Sequence, residues 1–394
     1  MMADVPYDHP LVAQLRDNPY PLYQRLLAQA PVQWNDVLEA WTLARYADVV
    51  GVLTDARFSA RRFRSGVDSE EANIARSMLV SDPPDHTRLR ALVQKAFTPR
   101  MVEQLRPRII AIVGELLDRI AEQSGTVDLI GELAYPLPVV VIAELLGVPA
   151  EDRVKFREWS AVVAASLDPL VPEAVVNRLQ DARAALYTYL REIITLRRRE
   201  PRADLISALV AVEEQGDVLT EPELVIMCML LLIAGHETTV NLIGNGVLAL
   251  LRHPEEFARL KADPSLINSG VEELLRFDSP VQLTARIATQ SIEIDGHAIA
   301  QGARVVTLLG AANHDPAQFA DPETLDLGRA PNNHLAFGRG IHFCLGAPLA
   351  RLEGQIAIGA LVRRFPNLTL AGEPERRHQI TLRGLSSLPV TISP

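Results

Sequence analysis

Ten residues near the carboxy terminus constrain this chain more than any other stretch: Phe337-Gly338-Arg339-Gly340-Ile341-His342-Phe343-Cys344-Leu345-Gly346. One cysteine stands among glycines and two phenylalanines, and residues 347–361 after it read as a helix. Glycine lets a backbone turn sharply and lets a flat ligand come close. A helix starting just past Cys344 sets its positive end near the sulfur and favours the thiolate. A thiolate in an apolar, glycine-lined loop is a good ligand for haem iron. A buried free cysteine beside a turn is the plainer reading of the same letters. Two other readings fail. Gly338-x-Gly340-x-x-Phe343 lacks the third glycine of a dinucleotide fingerprint, and no βαβ pattern surrounds it. A nucleophilic Cys–His pair needs a base within reach of the sulfur, which the sequence does not establish for His342.

With 394 residues and no Gly/Ser linker, low-complexity tract or repeat, a single domain over 1–394 is expected. Aromatics are only 5% of the chain against 48% hydrophobic residues, so the core is mostly aliphatic, which suits long amphipathic helices. Two cysteines, Cys228 and Cys344, make no disulfide framework and point to a reducing compartment. Residues 1–10 have no leader character, and the longest apolar run, 224–234, falls short of the roughly 20 residues a membrane span takes. A soluble, cytoplasmic protein with no membrane contact is expected. A net charge of −10 argues against nucleic acid as a partner.

Along the chain, helices are expected over 21–29, 47–53, 101–124, 138–146, 151–166, 172–199, 204–214 and 266–277, with a hairpin over 32–43. Residues 58–80 carry many charges with little periodicity and read as a loop. Pro83-Pro84 stops what precedes, Asp85 reads as an N-cap, and His86 and Arg90 then share one helix face, where they could hold a carboxylate pair. A solvated basic face is the plainer reading. Residues 281–286 read as strand, 291–309 as strands and turns, 313–333 as irregular, and 385–388 as a turn between short strands.

Thr220-Glu221-Pro222-Glu223 is a strong helix start: a threonine cap, a glutamate three residues on, and proline in the first turn. The helix runs to about 252, before Pro254, and is apolar nearly all round, so it should cross the core. Its middle holds Ala234-Gly235-His236-Glu237-Thr238-Thr239. Polar side chains there are costly without partners or work to do. A zinc-protease motif would need histidine where Val240 stands, so that reading fails. Thr238 can bond back to the Ala234 carbonyl and bend the helix, leaving a notch beside Gly235 for a small molecule such as dioxygen. A structural kink explains the same residues.

Taken together, the loop pattern Phe-Gly-x-Gly-x-His-x-Cys-x-Gly and the helix stretch Ala-Gly-x-Glu-Thr closely resemble the cytochromes P-450, soluble bacterial type. The resemblance covers nearly the whole chain in five ordered motifs. It implies a mainly α fold with small β-sheets, a triangular helical prism whose long central helix crosses over the haem. The cofactor implied is haem b (iron protoporphyrin IX). Cys344 would be the iron ligand, with Phe337, Gly338 and Gly346 shaping its loop and Ala234 facing the ring. His86, Arg90, Arg286 and His342 would hold the propionates. Glu237 and Thr238 would be the acid–alcohol pair that manages protons. Glu273 and Arg276, with Arg329 as third member, would be a buried structural frame rather than a surface pair. Ile233, Val281, Leu283 and Leu385 are candidates for the substrate pocket, and 58–80 and 167–171 resemble segments that fold over it.

The implied reaction takes O2, two electrons and two protons and inserts one oxygen atom into a C–H bond or alkene of a lipophilic small molecule. Electrons would come from a separate ferredoxin or flavodoxin with its reductase, docking on a basic patch including Arg339, Arg100 and Arg351. Two alternatives stay open: a peroxide-driven haem peroxygenase, and a haem-binding sensor without catalysis. A cysteine hydrolase is a third reading of the loop.

Overall fold

The computed structural model describes residues 10–61, 77–149, 152–168, 173–214 and 219–392. The expected loop over 58–80 and the linker 167–171 lie partly outside them. The protein is mainly helical with small sheets, and it divides into two compact units. One comprises Met1–Phe58, Leu105–Pro138 and Thr238–Pro394, the other Ser59–Gln104 and Val139–Glu237.

In the first unit a five-stranded sheet is built from segments far apart in sequence. Its order is Val32–Asn35, Ala40–Leu43, Arg304–Leu308, Leu283–Ala288 and Phe58–Ser59. The first two strands form the expected hairpin, with Trp34 opposite Trp41. Ala40–Leu43 then runs parallel to Arg304–Leu308, which pairs antiparallel with Leu283–Ala288 so that Arg286 faces Val305. Apolar side chains from this sheet and from the Tyr46–Thr54 helix form one core, including Leu43, Val49, Leu53, Val305 and Leu335. Leu335 brings the entrance of the cysteine loop into that core. A second cluster of Leu242, Val271, Leu275 and Ala336 joins the long helix and the Ile267–Phe277 helix to the same loop. The entrance of the loop is therefore anchored in two clusters by apolar burial, the dominant favourable term in folding.

The second unit packs the Arg153–Ala165 helix along Glu173–Arg199, which also meets Leu205–Glu214. Buried Arg197 pairs with Asp204 and donates to the Gly147 carbonyl at 2.7 Å, tying these helices to the turn at Gly147.

The long helix runs unbroken over Glu221–Arg252, the span read from sequence. Its capping box is formed: Thr220 N donates to Glu223 Oε2 at 2.9 Å, and Glu223 N to Thr220 Oγ1 at 3.4 Å. By length and composition this helix could cross a membrane, but 78% of its most apolar window is buried within the protein, as in a core helix.

Three local expectations are corrected. The helix expected over 101–124 is two, Pro99–Gln104 and Arg106–Ala121, because Pro107 has no N–H and starts a new helix in its first turn. Asp85 is not a cap: the Asp85–Ala96 helix begins at it, with Pro84 in the cap position and no side-chain cap bond. The turn read at 385–388 is the strand Leu385–Ser387, paired with Glu375–Arg376.

Candidate functional site

Cys344 is exposed, although the loop carrying it is held at many points. Leu335 N donates to Asn313 Oδ1 at 2.7 Å, Gly338 N to Leu335 O at 2.8 Å, and Cys344 N to Phe337 O at 3.0 Å. Gly338 and Gly340 have φ of 69° and 70°, in the left-handed region that glycine favours. At Gly340 a side chain is excluded twice over, since a Cβ would lie 2.6 Å from the Leu53 carbonyl oxygen. Gly340–His342 forms a single 3-10 turn that carries His342. Phe337 is sandwiched, with the Arg351 guanidinium 4.6 Å from its ring centroid and Phe343 edge-on at 6.3 Å. The Ala347–Arg364 helix follows with Gly346 at its cap, so the sulfur sits at the positive end of an 18-residue helix.

Around that sulfur the loop is apolar: Ile341 and Phe343 are 52% and 37% exposed. Among the described residues no group of three or more His, Cys, Asp or Glu could hold a metal ion. One thiolate can therefore serve a metal that brings its other ligands with it, as iron in a porphyrin does, and not a tetrahedral zinc or iron–sulfur site. The residues present fit a haem.

In the middle of the long helix, exposure follows one face. Leu231, Ala234, Gly235 and Thr238 are exposed or half-exposed, whereas the flanking turns are buried. Small residues on an open stripe of a core helix fit the approach of a flat ligand. Ile233, His236 and Glu237 are buried off that stripe. His236 Nδ1 lies 2.8 Å from the Leu232 carbonyl oxygen, and its Nε2 lies 3.3 Å from both Ser160 Oγ and Glu237 Oε1.

His86 and Arg90 lie one turn apart on the Asp85–Ala96 helix, with His86 buried. Burial first, and the Arg90 charge second, hold the His86 imidazole below its ordinary pKa, against an opposing pull from Asp82. Arg286 is buried in its strand and donates to the Ala285 carbonyl at 2.9 Å. Of the expected site residues, His86, Arg90, Ile233, Ala234 and Glu237 belong to the second unit and the others to the first.

Glu273 and Arg276 are fully buried and joined by two bonds of 2.8 Å. Arg329 is the third member, its Nε 3.0 Å from Glu273 Oε1. Asn332 Nδ2 and Asp326 N complete the set at 3.1 Å each, and Arg276 Nη1 donates to the Asn313 and Pro322 carbonyls. The frame thus fixes the irregular segment that leads into the cysteine loop. Arg351 is already engaged, in a bidentate pair with Glu272 at 2.7 and 2.8 Å, which removes it from the expected basic patch as an independent charge. Burial would raise the Glu272 pKa, but bonds from His334 and Arg351 pull it to about 2. Arg339 and Arg100 are exposed.

Val281 bridges Leu382, Gln282 N donates to Thr381 O, and Arg383 N to Pro280 O, so 380–383 runs beside the strand that carries Leu283. Sequence reasoning named Val281 and Leu283 but not Leu382, whose pairing is remote along the chain. Leu385 is buried, with its Cδ1 3.8 Å from where a Cβ of Gly244 would stand. Asn241 and Glu353 were also missed. Both are buried, and neither amide atom of Asn241 nor Glu353 Oε2 has a hydrogen-bonding partner among the described residues. Asn241 was open to notice as a polar residue one turn past Thr238 on an apolar helix.

Comparison with known proteins gives the family. The family model for Cytochrome P450 matches residues 39–393. Cytochrome P450 107B1 of Saccharopolyspora erythraea is 47% identical over 369 residues, 90% of this chain and 89% of the relative. Vitamin D(3) 25-hydroxylase of Pseudonocardia autotrophica is 46% identical, covering 96% of this chain and 94% of its own. Among solved structures, P450BioI in complex with an acyl carrier protein ligated to hexadec-9Z-enoic acid superposes with a TM-score of 0.91 at 42% identity, over 96% of this chain and 99% of that one.

Proposed function

The chain belongs to the cytochrome P450 family and is a monooxygenase of that family, and we propose that it inserts one oxygen atom from O2 into a C–H bond or alkene of a lipophilic small molecule. The observation that carries this is Cys344, exposed at a helix amino end, with no group of three or more His, Cys, Asp or Glu among the described residues to hold a metal ion.

The proposed cofactor is haem b, with Cys344 as the iron ligand and Phe337, Gly338, Gly346 and Ala234 against the ring. His86, Arg90, Arg286 and His342 would neutralise its propionates by charge-assisted bonds. When bound, haem supplies dioxygen activation, with thiolate electron density favouring O–O cleavage. Glu237, buried one residue before Thr238, is placed to handle a proton close to the open stripe. Thr238 stands on that stripe one residue later and presents a hydroxyl that donates and accepts in turn. The frame of Glu273, Arg276 and Arg329 keeps the cysteine loop in register.

Ile233, Val281, Leu283 and Leu385 remain the proposed pocket, with Leu382 added because it bridges Val281. Their apolar character fits a lipophilic substrate, such as a sterol or an acyl chain, free or carried on a protein. Electrons come from a ferredoxin or flavodoxin with its reductase, drawn to exposed Arg339 and Arg100. The protein acts as one domain over 1–394 in the cytoplasm, with its long apolar helix buried in the core.

Turnover with isotopically labelled O2 and a reduced ferredoxin tests the proposal, using a lipophilic panel first screened by shift of the haem band. One labelled oxygen atom should appear per product molecule, and Thr238→Ala should divert reducing equivalents to peroxide. Product formed only with added peroxide, or a Thr238→Ala protein indistinguishable from the parent, overturns the O2-dependent reading.

A further inference from the structure

Resting on the reading of Val281, Leu283, Leu382 and Leu385 as walls of the substrate pocket, we propose that a buried ion cluster centred on Asp278 sets the spacing of those walls. Arg383 and Arg376 are then positioning residues for substrate selection. Two stretches far apart in sequence carry the four apolar side chains. Asp278 stands at the carboxy-terminal cap of the Ile267–Phe277 helix, and Val281 and Leu283 follow it. Arg383 stands between Leu382 and Leu385 on the other stretch. The backbone joins the two stretches by a short bridge, with Gln282 N donating to Thr381 O and Arg383 N to Pro280 O, each at 2.9 Å. The side chains add a direct tie, because Arg383 Nε donates to Asp278 Oδ1 at 2.7 Å. At 5% and 7% exposure this pair lies out of water, so its attraction is little screened and depends on exact placement.

Three further elements hold the pair. Arg376, in the strand Glu375–Arg376, donates to Asp278 Oδ2 at 3.1 Å and to Asn245 Oδ1 at 2.8 Å. Asn245, on the long helix, donates through Nδ2 to the Arg383 carbonyl at 2.9 Å and to the Asp278 carbonyl at 3.3 Å. The Tyr20 hydroxyl donates to Asp278 Oδ1 at 2.7 Å. Two guanidinium groups thus meet one carboxylate. The second positive charge is met at the end of the Pro10–Asp17 helix, where Arg383 Nη1 donates to the Arg16 carbonyl at 2.8 Å. Carbonyls at a helix carboxy end carry partial negative charge. Leu382 and Leu385 are one and two residues from Arg383, so a shift of that arginine carries both with it. The cluster acts on the substrate through these leucines without touching it.

Alkylimidazoles of graded chain length test this without turnover. Their ring binds haem iron and their chain reaches the pocket walls, whereas unsubstituted imidazole reports the iron site alone. Arg383→Gln should weaken the long-chain members by about tenfold or more relative to imidazole, the scale on which an apolar pocket discriminates a methylene. Arg383→Lys should recover part of that loss, since it restores the charge but not the planar fork. Arg376→Gln leaves the Arg383–Asp278 pair in place and should move the ratio in the same direction by less. Ile120→Ala is the stability control. Its side chain is fully buried in the Arg106–Ala121 helix, which carries none of the pocket residues, so it should lower the melting midpoint and leave the ratio unchanged.

An unchanged ratio in Arg383→Gln, or one moved equally by Ile120→Ala, overturns the proposal. Should Arg383→Gln fail to retain haem, Arg376→Gln decides the point by the same ratio. Leu382→Ala separates this proposal from the pocket assignment beneath it. Long-chain affinities unchanged in Leu382→Ala would refute that assignment, and the proposal with it. Affinities changed in Leu382→Ala but in neither arginine variant would leave the pocket standing and remove the positioning role.

Discussion

Replacing Glu273 by glutamine keeps the volume and removes the charge at the centre of the frame. In the folded protein this carboxylate accepts from Arg276 at 2.8 Å twice, from Arg329 at 3.0 and 3.1 Å, and from Asn332 and Asp326 N at 3.1 Å. Glutamine would turn an amide donor towards guanidinium donors and leave two buried cations without their anion. Breaking a buried pair in this way costs about 3–5 kcal/mol. With an unfolding entropy of about 2.1 cal/mol/K per residue over 394 residues, that lowers the thermal midpoint by about 4–6 °C. Because the lost bonds hold the segment before the cysteine loop, the isolated protein should also carry less haem. A melt followed by circular dichroism gives the first quantity, and the haem-to-protein absorbance ratio the second. Asp118→Asn is the control: it breaks the exposed Arg364–Asp118 pair at 3.3 Å, of a kind worth about 0–1 kcal/mol. Equal shifts for the two variants, or full haem content in Glu273→Gln, would refute the reasoning.

Gly384→Ala should destabilise the protein by about 1–3 kcal/mol, since a Cβ there would collide with the buried Asn241 side-chain amide. An unchanged melting midpoint would mean that the strand at Leu385 does not press on the long helix. Acid stability follows from Asp278 and Glu272. Burial would raise the Asp278 pKa, but the charges of Arg383 and Arg376 outweigh it and bring the value to about 2, and Glu272 reaches about 2 as well. Both folded values lie below the ordinary carboxylate range near 4, so their contribution is present above about pH 4 and is lost as pH falls towards 2. Asp278→Asn should therefore be less stable than the parent at pH 7, and the gap should close as pH falls through that window. A gap independent of pH contradicts the assignment.

The long helix was legible to its last residue because its signals are local: a capping box at Thr220, a proline in the first turn and Pro254 beyond the end. The glycine-rich turn at Cys344 was legible for the same reason, and so was Arg329, whose spacing from Glu273 followed from the resemblance. What escaped depends on distant partners. Leu385–Ser387 reads as a turn in isolation, and becomes a strand only because Glu375–Arg376 lies beside it. Leu382 meets Val281 across a separation no local pattern encodes. The division at Pro107 was a local signal overlooked, since a proline in a first helical turn marks a start as well as a stop. Arg351 shows the limit of reading charge from letters: it counts as basic in sequence but is already paired with Glu272 in the fold.

The central claim is that Cys344 binds haem iron through its thiolate, and carbon monoxide added to the ferrous protein tests it most directly. The strongly red-displaced absorption band of a thiolate-ligated haem should appear, and it should vanish in Cys344→Ser. A ferrous–carbon monoxide spectrum without that band, or the band persisting in Cys344→Ser, would contradict the account.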